Sequence, residues 1–283
     1  MNIVNTHSVE MASGKNEAYE NFPVGSWLLP VALRPHIGIF YAFARAADDI
    51  ADSPDLLPEE KLTRLNGFVA ALTGQAGDHQ GYEKGLRMRD SLAATGVASR
   101  HCVDLLAAFK QDATKTRYRN WQDLIGYCQL SAAPVGRYLI DLHGGSKNGY
   151  GPSDALCIAL QILNHLQDCQ KDYLTLDRVY LPMDILSAHQ VIPEALDDNH
   201  CSPGLRLTID QCLDGVDDLM QNAALLPGGL RNKRLAMESA IIIAIANTLS
   251  RKLRSADPLS QRVKLNKVKY AYCCLAGMWR GLF

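Results

Sequence analysis

Along most of the chain, apolar residues return every three or four positions and polar residues fill the gaps. That period is helical, and alternating strand patterns of useful length are absent. The pattern predicts helices over roughly 36–52, 59–74, 82–95, 99–113, 121–143, 152–175, 203–224, 232–253 and 258–282. Local chemistry supports several starts: Pro58-Glu59-Glu60 sets Pro and acids in a first turn, Ser202-Pro203 places a cap before Pro, and Gly151-Pro152-Ser153-Asp154 opens another helix. Gly144-Gly145 and Gly228-Gly229 punctuate helix ends. Connections are short except from Leu181 to Ser202, and no Pro/Ser-rich linker or repeat interrupts the chain. The expected architecture is all-α. A flexible segment, 1–20, precedes a single domain, 21–283, whose helices pack around a deep central cavity.

Composition narrows the function. With 47% hydrophobic residues in 283, a substantial core is available, and a net charge of −1 argues against a nucleic-acid partner. The charge is uneven. From Arg231 to Phe283 eleven Lys/Arg stand against two acids, Glu238 and Asp257, so that end is +9 and the first 230 residues are −10. A solvated helix face and a diphosphate-facing end both account for this. The eight cysteines include no CxxC pair, which speaks against a zinc knuckle or a thioredoxin-like site and for reduced thiols in the cytoplasm. Met1 to Glu20 is polar and lacks the apolar centre of a signal peptide. The longest apolar run, Ala240 to Ala246, falls far short of the ~20 residues that span a bilayer. The expected location is the cytoplasm, with peripheral contact at the inner membrane left open.

Two segments carry candidate chemistry. In the first, Phe40 to Asp52, Asp48 and Asp52 lie four residues apart, ~40° around a helix and ~6 Å along it. Tyr41, Ala44 and Arg45 continue their stripe, while Asp49 stands one residue off it, either solvated or behind the ligands. In the second, Gln161 to Asp172, the residues Asn164, Asp168 and Asp172 repeat the four-residue step, and Gln161 continues that stripe downwards. Like charges at this spacing oppose each other on an isolated helix, so two such faces call for compensation. Hard oxygen donors in this number suit Mg²⁺, which keeps waters and bridges to substrate phosphates, and two facing sets could hold a small Mg²⁺ cluster around a diphosphate. Such metals neutralise a leaving group. One DxxxD occurs on many solvated helices, whereas a DxxxD with an NxxxDxxxD is far more specific. His165 points off the acidic stripe and reads as structural. An EF-hand, a zinc site, a Ser/His/Asp arrangement and a Gly-rich phosphate loop all lack their residues.

At these positions the chain resembles the squalene/phytoene synthase family, from about Asn21 to about Lys269. The resemblance is carried by Tyr41-Ala42-Phe43-Ala44-Arg45 leading into Asp48-Asp49-Ile50-Ala51-Asp52, and by Tyr127-Cys128 with Ala132 and Val135-Gly136. The run Gln161 to Asp172 and the run Asp177-Arg178-Val179-Tyr180-Leu181-Pro182 complete it. It implies an isoprenoid-synthase-type helical bundle whose members join prenyl diphosphates head to head. It also implies that Asp48, Asp52, Asn164, Asp168 and Asp172 hold Mg²⁺ and diphosphate, and that Tyr127 sits at the reaction centre. The implied substrate contacts are Arg45, Tyr41, Gln161, Lys171, Arg178 and Lys267, with Arg262 and Lys269 in the same C-terminal basic stretch. Arg178 reads chiefly as fixing the turn before Tyr180. Phe22, Ser26, Ala132, Val135 and Gly136 are the candidate cavity lining.

The segment Glu20 to Pro30 looks like that of the hydroxysqualene-forming bacterial branch of the family, in hopanoid pathways. That branch ionises presqualene diphosphate, rearranges the cation and quenches it with water, without NADPH. Pathway-enzyme association is a further partner class. Two departures mark the second motif: the family's Arg before the middle Asp is Gln167, and its acidic residue before the last Asp is Lys171. Lys171 could stand as a phosphate ligand or as a charge displacing a metal. A shielded cation calls for aromatic walls, for which Phe22, Trp27, Phe40, Tyr41, Phe43 and Tyr127 are candidates. The quenching water could be held by Tyr127, Gln129, Ser131, Gln161 or Asn164. Alternatives are another head-to-head synthase and a non-catalytic helical module.

Overall fold

The expected helices form in outline, with two of the runs divided and the last starting later. A computed structural model describes residues 9, 29–77 and 79–282, with side chains through Gly277. The expected flexible segment 1–20 and the candidates Phe22, Ser26 and Trp27 lie outside the described residues, Val9 excepted. Among the described residues there is no strand, only an isolated bridge between Arg117 and Val179. The chain is all-α and gathers into two compact units, one ending at Thr114 and the other beginning at Lys115.

The first unit holds α1 (Arg34–Asp52), α2 (Pro58–Thr73), α3 (Glu83–Thr95) and α4 (Arg100–Asp112). Glu59 and Glu60 occupy the first turn of α2, where the helix dipole favours anions. Gly74 and Gly96 close α2 and α3 at φ 69° and 71°, a conformation glycine takes without a Cβ penalty. Phe43 of α1 meets Phe68 of α2 edge-on, ring centroids 5.9 Å apart, and Phe68 meets Tyr82 at 5.3 Å. The buried side of α1 is Phe40, Phe43, Ala46, Ala47, Ile50 and Ala51, which sets its register. Its other side is therefore the one carrying Tyr41, Arg45, Asp48 and Asp52, all half-buried.

In the second unit, the run expected at 121–143 divides into α5 (Trp121–Ser131) and α6 (Ala133–Leu142). Pro134 explains the break: it has no N–H to continue the ladder, and its ring crowds the preceding turn. The run expected at 152–175 likewise divides at Asp168 into α7 (Tyr150–Gln167) and α8 (Cys169–Leu176). Then come α9 (Met183–Ala188), α10 (Pro203–Ala223), a single turn α11 (Leu226–Gly229), α12 (Lys233–Ser255) and α13 (Lys267–Leu282). The last helix starts nine residues later than the expected 258, because Leu259 and Val263 are buried as loop residues rather than as a helix face. Side-chain caps fix four starts among the described residues: Asn120 for α5, Ser202 for α10, Asn232 for α12 and Asn266 for α13.

Helix α7 packs against α6, α10 and α12. Gly136 of α6 lies against it, and an added Cβ there would stand 2.2 Å from Ser153 Oγ. On α12, Glu238 is buried, and its Oε2 has no hydrogen-bond partner. Burial alone pushes its carboxyl up to about 7, from an ordinary value near 4.5. Between those values the folded chain holds a proton that the unfolded chain has lost, so stability falls as pH rises from 4.5 to 7. The expected loss is roughly 2–3 kcal/mol at about 1.4 kcal/mol per unit. Glu238→Gln should flatten this slope in denaturant midpoints compared at pH 5 and pH 8, and equal slopes in both proteins would assign the effect elsewhere.

Candidate active site

On α1, the aspartates are organised by Arg45. Its guanidinium donates to Asp48 Oδ2 at 2.6 Å and to Asp49 Oδ1 at 2.9 Å. Asp49, off the ligand stripe, is thus a half-buried ion partner of Arg45 rather than a solvated charge. The pairing offsets the repulsion expected of carboxylates one turn apart. Asp52 closes the helix on the same side.

The second motif keeps its register through the break. Asp168 has φ −108° and ψ 13°, yet its N–H still donates to Asn164 O at 3.0 Å, and Asp172 N–H to Asp168 O at 2.8 Å. Gln161, Asn164, Asp168 and Asp172 are half-buried, while Ile162, Leu163, His165, Leu166 and Gln167 are buried. One polar stripe therefore runs down an otherwise buried segment. Lys171 lies beside the stripe and is exposed.

A segment distant in sequence lies on this motif. Arg262 takes Asp168 with two nitrogens, Nε to Oδ1 at 2.9 Å and Nη2 to Oδ2 at 3.0 Å. The adjacent Gln167, 3% exposed, donates its amide to Val263 O. Lys252 Nζ donates to Lys264 O at 2.6 Å, and Asp257 accepts from the backbone N–H groups of Cys201 and Leu259 at 2.9 Å each. Residues 257–264 are thus fastened at four points. Gln167 is a tether in this chain, and the cation beside Asp168 comes from Arg262. Lys267 and Lys269, the other basic candidates, open α13 and are exposed.

Behind the stripe lies a nest of rings. His165 stacks on Tyr180, centroids 3.5 Å apart and planes 11° from parallel. Tyr118 stacks on Tyr180 at 5.5 Å, and Tyr127 stands 5.2 Å from Tyr118, 5.8 Å from Tyr180 and 6.2 Å from His165. The extended pairing of 116–119 with 179–184 supports it: Val179 N–H donates to Thr116 O and Met183 N–H to Tyr118 O, both at 2.9 Å. Burial, with the charge of Arg178, pushes His165 down to about 3, so its imidazole is neutral. Arg178 is buried beside it, and its N–H donates to Asp172 O, which favours the turn-fixing role. Tyr127 was legible as a candidate. Tyr118, Tyr180 and His165 were not singled out as its partners, although Tyr180 stands inside the run 177–182. Of the expected cavity lining, Ala132 is buried at the α5–α6 break, Val135 is half-buried, and Gly136 is taken up by the α6–α7 contact.

Among the described residues, no three His, Cys, Asp or Glu side chains converge tightly enough to cage an ion. Oxygen donors spread along half-buried helix faces do fit Mg²⁺, which binds through one or two carboxylates with waters and phosphate completing its shell.

The sequence pattern of squalene/phytoene synthases matches residues 15–269. The chain belongs to the squalene/phytoene synthase family. Members of this family generally depend on a divalent metal. A hydroxysqualene synthase of Rhodopseudomonas palustris is 42% identical over 279 residues, 96% of this chain and 92% of its own length. A hydroxysqualene synthase of Zymomonas mobilis is 38% identical over 93% of this chain and 88% of its own. The crystal structure of a squalene synthase, HpnC, from Alicyclobacillus acidocaldarius superposes with TM-score 0.71 at 27% identity, covering 82% of this chain and 87% of that one. A dehydrosqualene synthase shares the fold, with TM-score 0.75 at 18% identity over 92% of this chain and 91% of its own.

Proposed function

We propose that this chain is a Mg²⁺-dependent hydroxysqualene-forming enzyme acting on presqualene diphosphate. The observation that carries the reading is the intact ligand set, Asp48 and Asp52 with Asn164, Asp168 and Asp172. It stands on half-buried helix faces in a chain 42% identical to a protein of that activity across nearly the whole length of both.

Each aspartate face offers oxygen donors suited to Mg²⁺ and a diphosphate. Bound there, Mg²⁺ would take up the negative charge that leaves with the diphosphate. The chain's own residues do the rest. Arg45 holds Asp48 and Asp49 in place, and Arg262 and Gln167 order the Asp168 end of the second motif. When the C–O bond breaks, its electron pair departs with the diphosphate. The cyclopropylcarbinyl cation rearranges, water adds to one carbon and a proton is lost, giving hydroxysqualene and diphosphate. No hydride enters, so NADPH is not required. The buried rings of Tyr118, Tyr127 and Tyr180, with the neutral His165, form an aromatic wall beside the second motif that excludes water. Because substrate and product carry long hydrocarbon chains, the enzyme works at a membrane surface, and among the described residues no helix is long and apolar enough to cross one.

Presqualene diphosphate with Mg²⁺ and no NADPH should yield hydroxysqualene and inorganic diphosphate. Turnover of farnesyl or geranylgeranyl diphosphate instead would make the chain another head-to-head synthase. Absence of any product would leave the reading without support.

A further inference from the structure

Among the described residues, the outer face of α13 carries an exposed apolar stripe. Val268, Tyr272 and Leu275 are 78%, 70% and 65% exposed. Their spacing places them within ~60° of one another around the helix axis. The opposite face is fixed to α12. Cys273 is buried there, and Gly277 stands so close that an added Cβ would lie 2.4 Å from Ile241 Cα. The helix therefore has no freedom to roll the stripe inward.

Cations surround the stripe. Lys267 and Lys269 flank Val268, diverging ~100° to either side of it. Between α12 and α13 runs an open cavity of ≈ 510 Å³, lined by Thr248, Arg251, Lys252, Ser255, Val268, Lys269 and Tyr272. The whole end from Arg231 is +9 against −10 for the rest.

We infer that α13 is a docking face for an anionic lipid bilayer, with lipid phosphate over the Arg251–Lys252–Lys269 cavity and the Val268–Tyr272–Leu275 stripe entering the acyl boundary. This deepens the membrane contact of the proposed function by naming the face that makes it. A helix with an apolar stripe and flanking cations lies in the interface in this way. A tyrosine on the stripe suits the headgroup level, where its ring is apolar and its hydroxyl wet. An anionic surface attracts the cations beside the stripe, Arg251, Lys252, Lys267 and Lys269.

The test is co-sedimentation of the full chain with vesicles of phosphatidylcholine, with and without phosphatidylglycerol. Binding should require phosphatidylglycerol and weaken at least tenfold in molar salt. Leu275→Glu should weaken it by about tenfold or more. Arg251→Gln should weaken it about fivefold. Both variants should keep wild-type circular dichroism and wild-type turnover of detergent-dispersed presqualene diphosphate. Vesicle binding is read without turnover, so a chain that binds these vesicles yet converts no presqualene diphosphate would overturn the reaction and leave the docking face standing. The docking face is overturned if wild type ignores the vesicles, if Leu275→Glu binds as wild type does, or if light scattering finds a dimer that Leu275→Glu splits.

Discussion

Asp168→Asn and Asp48→Asn should each lower turnover by about three orders of magnitude while leaving the helical signal unchanged. The size follows from what each carboxylate does in the proposed reaction. The barrier is departure of a multiply charged leaving group, and donors or charges that meet developing charge are worth about 10²–10³ each. An amide keeps the shape of the carboxylate and one oxygen, but it gives up the charge on which Mg²⁺ binding depends. The cost in stability is small by comparison. Asp168 and Asp48 are both partly exposed and paired with arginines, and such pairs contribute about 0–1 kcal/mol. Weaker Mg²⁺ binding in calorimetry should accompany the lost turnover. Collapse of the helical signal in either variant would make the carboxylates structural, and near wild-type turnover would move the chemistry to another site.

The part of this site that could be read from the chain is the part with a local cause. Asp48 with Asp52, and Asn164 with Asp168 and Asp172, share faces because residues four apart in a helix must do so. The buried residues of α1 then confirm which way that face turns. Pro134 made the break after α5 equally local, although the apolar period runs straight through it. The break at Asp168 had no such cause. No Pro or Gly occurs from Gln161 to Asp172, and the break falls where Gln167 and Asp168 are held by residues 96 and 94 positions away. The ring nest is non-local too, since Tyr118 and Tyr127 meet His165 and Tyr180 only after 116–119 pairs with 179–184. The segment 257–266 looked helical because Leu259 and Val263 carry a helical spacing, but each is buried by a loop tied down through its own backbone.

That tied segment explains the departure at Gln167. Where the family has an arginine before the middle aspartate, this chain has an amide that holds Val263 O and so brings Arg262 onto Asp168. In this chain the cation at Asp168 is Arg262, supplied by the C-terminal segment. Arg262→Met should therefore cost about 10²–10³ in kcat/KM, the loss expected when a charged donor at a departing anion is removed. Gln167→Leu keeps the volume of the side chain but leaves Val263 O without its donor. It should cost about tenfold, mostly through a loosened 257–266 segment. The two losses should not add: with Arg262 already removed, Gln167→Leu has little left to displace, so the double variant should match Arg262→Met alone. A role in folding predicts the opposite pattern, with independent losses of stability and unchanged affinity for inorganic diphosphate in the presence of Mg²⁺. Two measurements decide between them. Diphosphate calorimetry should show weakened binding in both single variants, and hydrogen exchange should show faster exchange across 257–266 in Gln167→Leu with the α7 amides still protected.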